Sequence, residues 1–322
     1  MDKTPGQTPK VSLPPQDPQS LLEAVQYFSD PDVALDFVRR AVWPNGVPAC
    51  PHCGGLEHSF LKTRRIWKCQ NKDCRRQFSA KVGTIFEDSP LGWDKWLPAV
   101  WLIANSKNSV SSHELGRALH VTQKTAWFML HRVRDAMQTG TFRKLDGEVE
   151  VDETYWGGLG RNMHRDRARR QIKGTGMIGK TAIAGLRERG GEVRAAVVPD
   201  TRQPTLQGMV RANVEVGAAV YSDALGSYTG LDAYYAHKIV DHVREYVSGS
   251  VHTNGIENFW ALLKRALKGT QVHVDPVHLD RYVTERIFAY NHRDRTDLGR
   301  MRLALGGVAG HRLTYAQLIG HD

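Results

Sequence analysis

The chain has 322 residues, 41% of them hydrophobic, and carries a formal net charge of +10 with a pI near 9.5. That is enough for a catalytic domain with one or two small modules, and the basic balance favours a polyanionic partner, nucleic acid first. No apolar run approaches the roughly 20 residues of a membrane span, the polar, proline-bearing start is not a signal peptide, and four cysteines confined to residues 50–74 argue against a secreted disulfide scaffold.

In chain order, residues 1–18 hold Pro5, Pro9, Pro14, Pro15 and Pro18 among polar residues and read as a disordered tail. Residues 19–44 carry helical spacing from Leu21 to Val42, interrupted at Ser29-Asp30-Pro31, where a second helix starts. Residues 45–80 form a cysteine module. Cys50-x2-Cys53 and Cys69-x4-Cys74 enclose the strand-like Ser59–Leu61 and Ile66–Lys68. Two knuckles on short strands present four thiolates tetrahedrally, which predicts a zinc ribbon with one structural Zn²⁺. Lys62 to Arg76 is strongly basic, with Asp73 as its one acid and Trp67 interleaved. Such a face suits contact with phosphate, or is a solvated surface around the metal.

Residues 90–140 read as helical. Trp93–Ala104 predicts a buried helix. Ser111–His120, the Val121-Thr122 turn and Gln123–Met137 are helix-turn-helix-like, with Ser112 as cap. Gln123, Lys124 and Thr125 would meet base edges, and Trp127, Leu130 and Val133 would face the core. An ordinary helical hairpin has the same pattern.

From residue 147 the pattern turns to strands. Gly147–Val151, Thr181–Leu186, Glu192–Val198, Val216–Asp223 and Lys238–Val240 are expected strands, and Thr205–Ala212 and Glu257–Leu267 expected helices. That order predicts an α/β, ribonuclease H-like mixed sheet with flanking helices over residues 147–293, followed by a C-terminal tail at 294–322.

Three acids lie where such a sheet would hold a catalytic site. Asp152 and Asp223 are expected at strand ends, and Glu257 begins a helix. Together they can hold two Mg²⁺ or Mn²⁺ ions about 4 Å apart, which clamp the attacking and leaving oxygens of a phosphodiester. Lys264, seven residues after Glu257, shares its helix face and would touch DNA phosphate. Each acid also has a plainer reading. Asp152 and Asp223 suit turns, Glu150 lies on the strand face of Asp152 and could replace it, and Asn254 with Glu257 would make a capping box. The basic stretch 161–181 could grip DNA beside the site or be a solvated loop. Gly174–Thr181 fits a phosphate-loop pattern, but an Arg-rich stretch precedes it and a strand-like one follows.

These residues resemble the ISXO-like insertion-sequence transposases. The likeness runs from about Phe28 to Arg293. Its motifs are Cys50-Pro51-His52-Cys53, Cys69 and Cys74-Arg75-Arg76-Gln77-Phe78, Gly83-Thr84-Ile85-Phe86, Val151-Asp152-Glu153-Thr154-Tyr155-Trp156-Gly157-Gly158, Ser222-Asp223, His252 to Arg265, and Tyr290-Asn291-His292-Arg293. The resemblance implies a DNA transposase with an acidic metal-binding triad. Asp152 and Asp223 match its first two positions, and Glu257, Asn254 and Asn258 all stand near the third. It further implies binding of element ends and target DNA, action as a homo-oligomer on DNA, and a bacterial cytoplasmic location. The rival reading is a non-catalytic zinc-ribbon and helix-turn-helix regulator.

Overall fold

The computed structural model describes residues 16–43, 45–138, 143–157, 166, 179–240 and 252–320. The chain divides into two compact units, one formed by residues up to Thr139 together with those from Asp294, the other by Gly140–Arg293.

In the first unit, α1 (Leu21–Tyr27) and α2 (Pro31–Val42) are capped by Ser20 and Asp30. The Asp30 carboxylate accepts from the Asp32 and Val33 N–H groups, and Pro31 occupies the first helical position, where no N–H is needed. The antiparallel strands β1 (His58–Leu61), β2 (Ile66–Cys69) and β3 (Gln77–Phe78) follow, in that spatial order. Trp67 on β2 is fully buried against Phe78, ring centroids 5.9 Å apart.

Helix α3 (Trp93–Asn105) buries most of its length, as its apolar sequence predicts. Helices α4 (Ser112–Leu119) and α5 (Gln123–Ala136) meet at a left-handed His120. The cap of α4 is Ser111, not Ser112. Its hydroxyl accepts from the Glu114 N–H, and the Glu114 carboxylate accepts from the Ser111 N–H. Leu130 and Val133 face the core, whereas Trp127 is half-exposed.

The second unit is built on a five-stranded sheet. Its strands are β4 (Glu148–Trp156), β5 (Thr181–Glu188), β6 (Val193–Val198), β7 (Ala219–Asp223) and β8 (Ala236–Val240), in spatial order β6-β5-β4-β7-β8. β4, β5 and β6 run antiparallel, while β7 and β8 run parallel to β4. This is the ribonuclease H-like arrangement. Alternation along β4 sends Val149 and Val151 to one face, where they pack with Leu206 and Val210 of α6 (Gln203–Asn213). The opposite face receives α7 (Asn254–Ala266) and α8 (Leu279–Asn291).

Two expectations give way here. β4 continues five residues past Val151, so Asp152 lies inside a strand rather than at its end. Pairing with β5 extends to Trp156, and that ladder keeps the chain extended through the acids. The segment 294–320, expected as a tail, holds α9 (Asp297–Gly306) and α10 (Tyr315–Ile319). Met301 and Leu305 of α9 are fully buried, and α9 packs on α3 and α2.

Candidate active site and metal centre

The cysteine knuckles close by backbone hydrogen bonds. The Gly54 N–H donates to the Cys50 carbonyl at 2.8 Å, and the Cys74 N–H donates to Asn71 at 3.1 Å. They bring the sulfur of Cys50 to 3.7 Å from Cys74 and that of Cys53 to 3.6 Å from Cys69, with all four within 4.8 Å. A tetrahedral site with Zn–S bonds of about 2.3 Å has S···S edges near 3.8 Å, so the donor set fits zinc. Burial pushes the Cys69 thiol up to about 12, and a cation is what would hold a thiolate there.

Asp152 faces α7 across the sheet. The β4–β7 register pairs Glu150 with Tyr221. Continued two residues, the same register would bring Asp152 beside Asp223 of the neighbouring parallel strand, and the Asp223 charge is among those that act on Asp152. Trp260 of α7 donates its indole N–H to an Asp152 oxygen at 3.0 Å. Asp223 accepts from the Leu225 N–H at 3.0 Å.

Burial pushes the Asp152 carboxyl up to about 7; the charges of Glu153 and Asp223 add to the rise, and the Trp260 N–H opposes it. Glu153 is also raised, by burial first and then by Asp223, although the Tyr228 hydroxyl donates to it at 2.9 Å. Lys264 is lowered by burial and by Lys268, and Asp152 counteracts. The structure thus brings Asp152, Glu153, Asp223 and Lys264 into one electrostatic neighbourhood. Three crowded acids in a half-buried setting repel one another, and a divalent cation would relieve that repulsion.

Glu257 stands apart in character. Its side chain is exposed, and its carboxylate accepts from the Thr253 hydroxyl at 2.9 Å. Thr253 precedes the helix and Asn254 is its first residue, so the expected Asn254–Glu257 capping box is not formed. Asn254 and Asn258 are both exposed. Among the described residues, the cysteine cluster alone brings three or more such ligand atoms within 4.8 Å of one another; Asp152, Asp223 and Glu257 are not closed to that spacing.

Glu150 does not stand in for Asp152. It is fully buried, and both its oxygens are engaged, one by Arg187 and Arg189, the other by the Ile256 N–H. Glu153, Trp260 and Tyr228 escaped the sequence reading. Alternation puts Glu153 on the opposite strand face from Asp152, and Trp260 reads only as part of an apolar stripe. The basic stretch 161–181 and the phosphate-loop pattern lie, but for Asp166 and residues 179–181, outside the described residues.

A ribonuclease H-like sheet with acids on adjacent central strands, joined to a four-cysteine ribbon, defines the class of insertion-sequence transposases. Residues 144–291 match the ISXO2-like transposase domain and residues 29–77 match the transposase zinc-ribbon domain. The two matches together cover more than half of the chain, which is thus similar to the ISXO2-like transposases over both its ribbon and its sheet domain. An uncharacterized protein in transposable element ISH50 of Halobacterium salinarum is 27% identical over 247 residues, covering 73% of this chain and 82% of the relative. An uncharacterized transposase-like protein of Haemophilus influenzae is 29% identical over 104 residues, 32% of this chain and 84% of its own length. The ribbon match and the sulfur geometry together support a structural Zn²⁺. No helix among the described residues is long and apolar enough to cross a membrane.

Proposed function

We propose that this chain is the DNA transposase of an insertion sequence, cutting element ends and joining them to target DNA with Mg²⁺ or Mn²⁺. Asp152 and Asp223 would hold the metal, Glu257 would complete its ligand set, and Lys264 would contact substrate phosphate. When bound, the metal supplies an activated water and charge neutralisation at the phosphodiester. The protein's own part is placement. In this reading β4 and β7 would supply the two aspartates, the Trp260 indole N–H holds an Asp152 oxygen, and α7 would carry Glu257 and Lys264 toward them. The zinc ribbon and α4–α5 would bind DNA largely through phosphate contacts, so binding should weaken steeply with salt. Homo-oligomer formation on DNA in the bacterial cytoplasm belongs to the same reading.

The observation that carries the proposal is Asp152 on β4, its carboxyl held by the Trp260 indole and pushed up to about 7 by burial first and then by the charges of Glu153 and Asp223. The test uses Asp152→Asn and Asp223→Asn in a mobility-shift and a nicking assay on the same preparations. Both variants should bind element ends as the wild type does and lose Mg²⁺-dependent nicking. Retained nicking in either rejects that residue, and a wild type that binds ends without nicking in Mg²⁺ or Mn²⁺ favours the regulator.

A further inference from the structure

Two side chains on one face of β4 hold α7 one helical turn apart. Glu150 accepts from the Ile256 N–H at 2.8 Å, in the first turn of α7. Asp152, two residues on, accepts from the Trp260 indole, four residues on. Two strand residues advance about 6.6 Å and four helical residues about 6.0 Å. The two contacts are therefore commensurate, and they set the register of helix on strand twice.

Glu150 is itself held from the far side. Arg187 reaches it at 3.2 Å and Arg189 at 3.0 Å. Arg189 also donates to the His252 carbonyl at 2.8 Å, just before α7. The Arg187 Nε donates to the Tyr290 hydroxyl at 3.1 Å. The next residue, Asn291, brackets Val193 of β6, donating to its carbonyl at 2.9 Å and accepting from its N–H at 2.8 Å. The Tyr290–Arg293 motif, which the proposed chemistry leaves without a role, thus ties α8 to the strands that carry this network. Gly255 permits the approach, because a Cβ there would collide with the Arg187 guanidinium and the Glu150 carboxylate. A buried carboxylate is costly unless paired; here two guanidiniums and the positive end of a helix surround it.

We infer that Glu150 is a positioning residue: with Arg187 it fixes the first turn of α7 on β4, and thereby where that helix presents Glu257 and Lys264. The catalytic consequence rests on the function proposed above; the placement of α7 does not. The test therefore reads both. In the full-length protein the Trp260 indole N–H resonance is assigned, among eight tryptophans, by its loss in Trp260→Phe. It is then followed in Glu150→Gln, Glu150→Asp and Tyr290→Phe.

Glu150→Gln should shift that resonance, speed its hydrogen exchange by about tenfold or more, and lower nicking by at least a similar factor with end binding unchanged. Glu150→Asp, which keeps the charge, should recover part of both. Tyr290→Phe, which removes one hydroxyl, should give a smaller shift in the same direction. If Glu150→Gln fails to fold, Tyr290→Phe and Glu150→Asp carry the decision by the same readouts. The inference is overturned if the folded variants melt lower yet leave the Trp260 resonance and its exchange as in the wild type. A wild type that does not nick counts against the proposed function alone, since the resonance still decides the placement of α7.

Discussion

Gly185 stands opposite Asp152 in the β4–β5 ladder, and a Cβ there would come within 2.6 Å of the Trp260 ring. The indole therefore lies across bare backbone to reach the Asp152 carboxylate. Gly185→Ala forces the ring away, and overpacking of this kind costs about 1–3 kcal/mol. A lowered urea midpoint with reduced nicking is expected; an unchanged midpoint would show that the ring has room to move. Glu257 poses the other question at this scale. Glu257→Gln preserves the hydrogen bond from Thr253, so a change within about 0.5 kcal/mol is expected for this exposed site. If its charge holds metal, most cleavage is lost nonetheless. Asn254→Asp and Asn258→Ala should both remain active. Melting temperature and strand cleavage, measured on all three variants, decide the third ligand. An active Glu257→Gln beside a dead Asn258→Ala would move the ligand to Asn258.

At the scale of elements, α7 is held by its apolar stripe and aimed by its polar contacts. Burying Ile256, Phe259 and Leu263 contributes about 1.5–3 kcal/mol for each side chain. The polar contacts centre on the fully buried Glu150, where the cost of desolvating the charges offsets much of what their pairing contributes. Attachment is therefore apolar, and the Glu150 and Asp152 contacts choose the register. The zinc ribbon shows the opposite balance. Its strands are two to four residues long, too short to be stable alone, so metal binding and folding are coupled there. Elemental analysis should find about one zinc per chain. Cys53→Ser/Cys69→Ser should lose it and unfold the ribbon, and undiminished zinc in that double variant would refute the four-cysteine assignment.

At the scale of the whole molecule, the segment after Arg293 belongs to the unit that contains the N-terminal helices and the ribbon. Leu298, Met301, Ala304 and Leu305 are buried within that unit. A chain stopped after Arg293 should expose the apolar surfaces of α2 and α3. It is expected to aggregate or to melt well below the full chain, as read by light scattering during a thermal scan. A soluble truncation with an unchanged transition would show that α9 and α10 are dispensable.

The sequence by itself determined what depends on local spacing. Two cysteine knuckles, the strand leading to Asp152 and the helix that carries Glu257 are covalent or periodic signals, and each is found. The fold class followed because the succession of elements leaves few ways to cover both faces of a sheet. Only the tertiary structure decided the rest. Glu150 and Asp152 are indistinguishable by alternation, yet one is locked between guanidiniums and a helix terminus while the other faces Asp223. Which carboxylate is locked in a buried network and which is left for the proposed metal depends on the register of β5, β7 and α7 against β4. That register is set by contacts between residues tens to more than a hundred positions apart, and no local pattern along the chain encodes it.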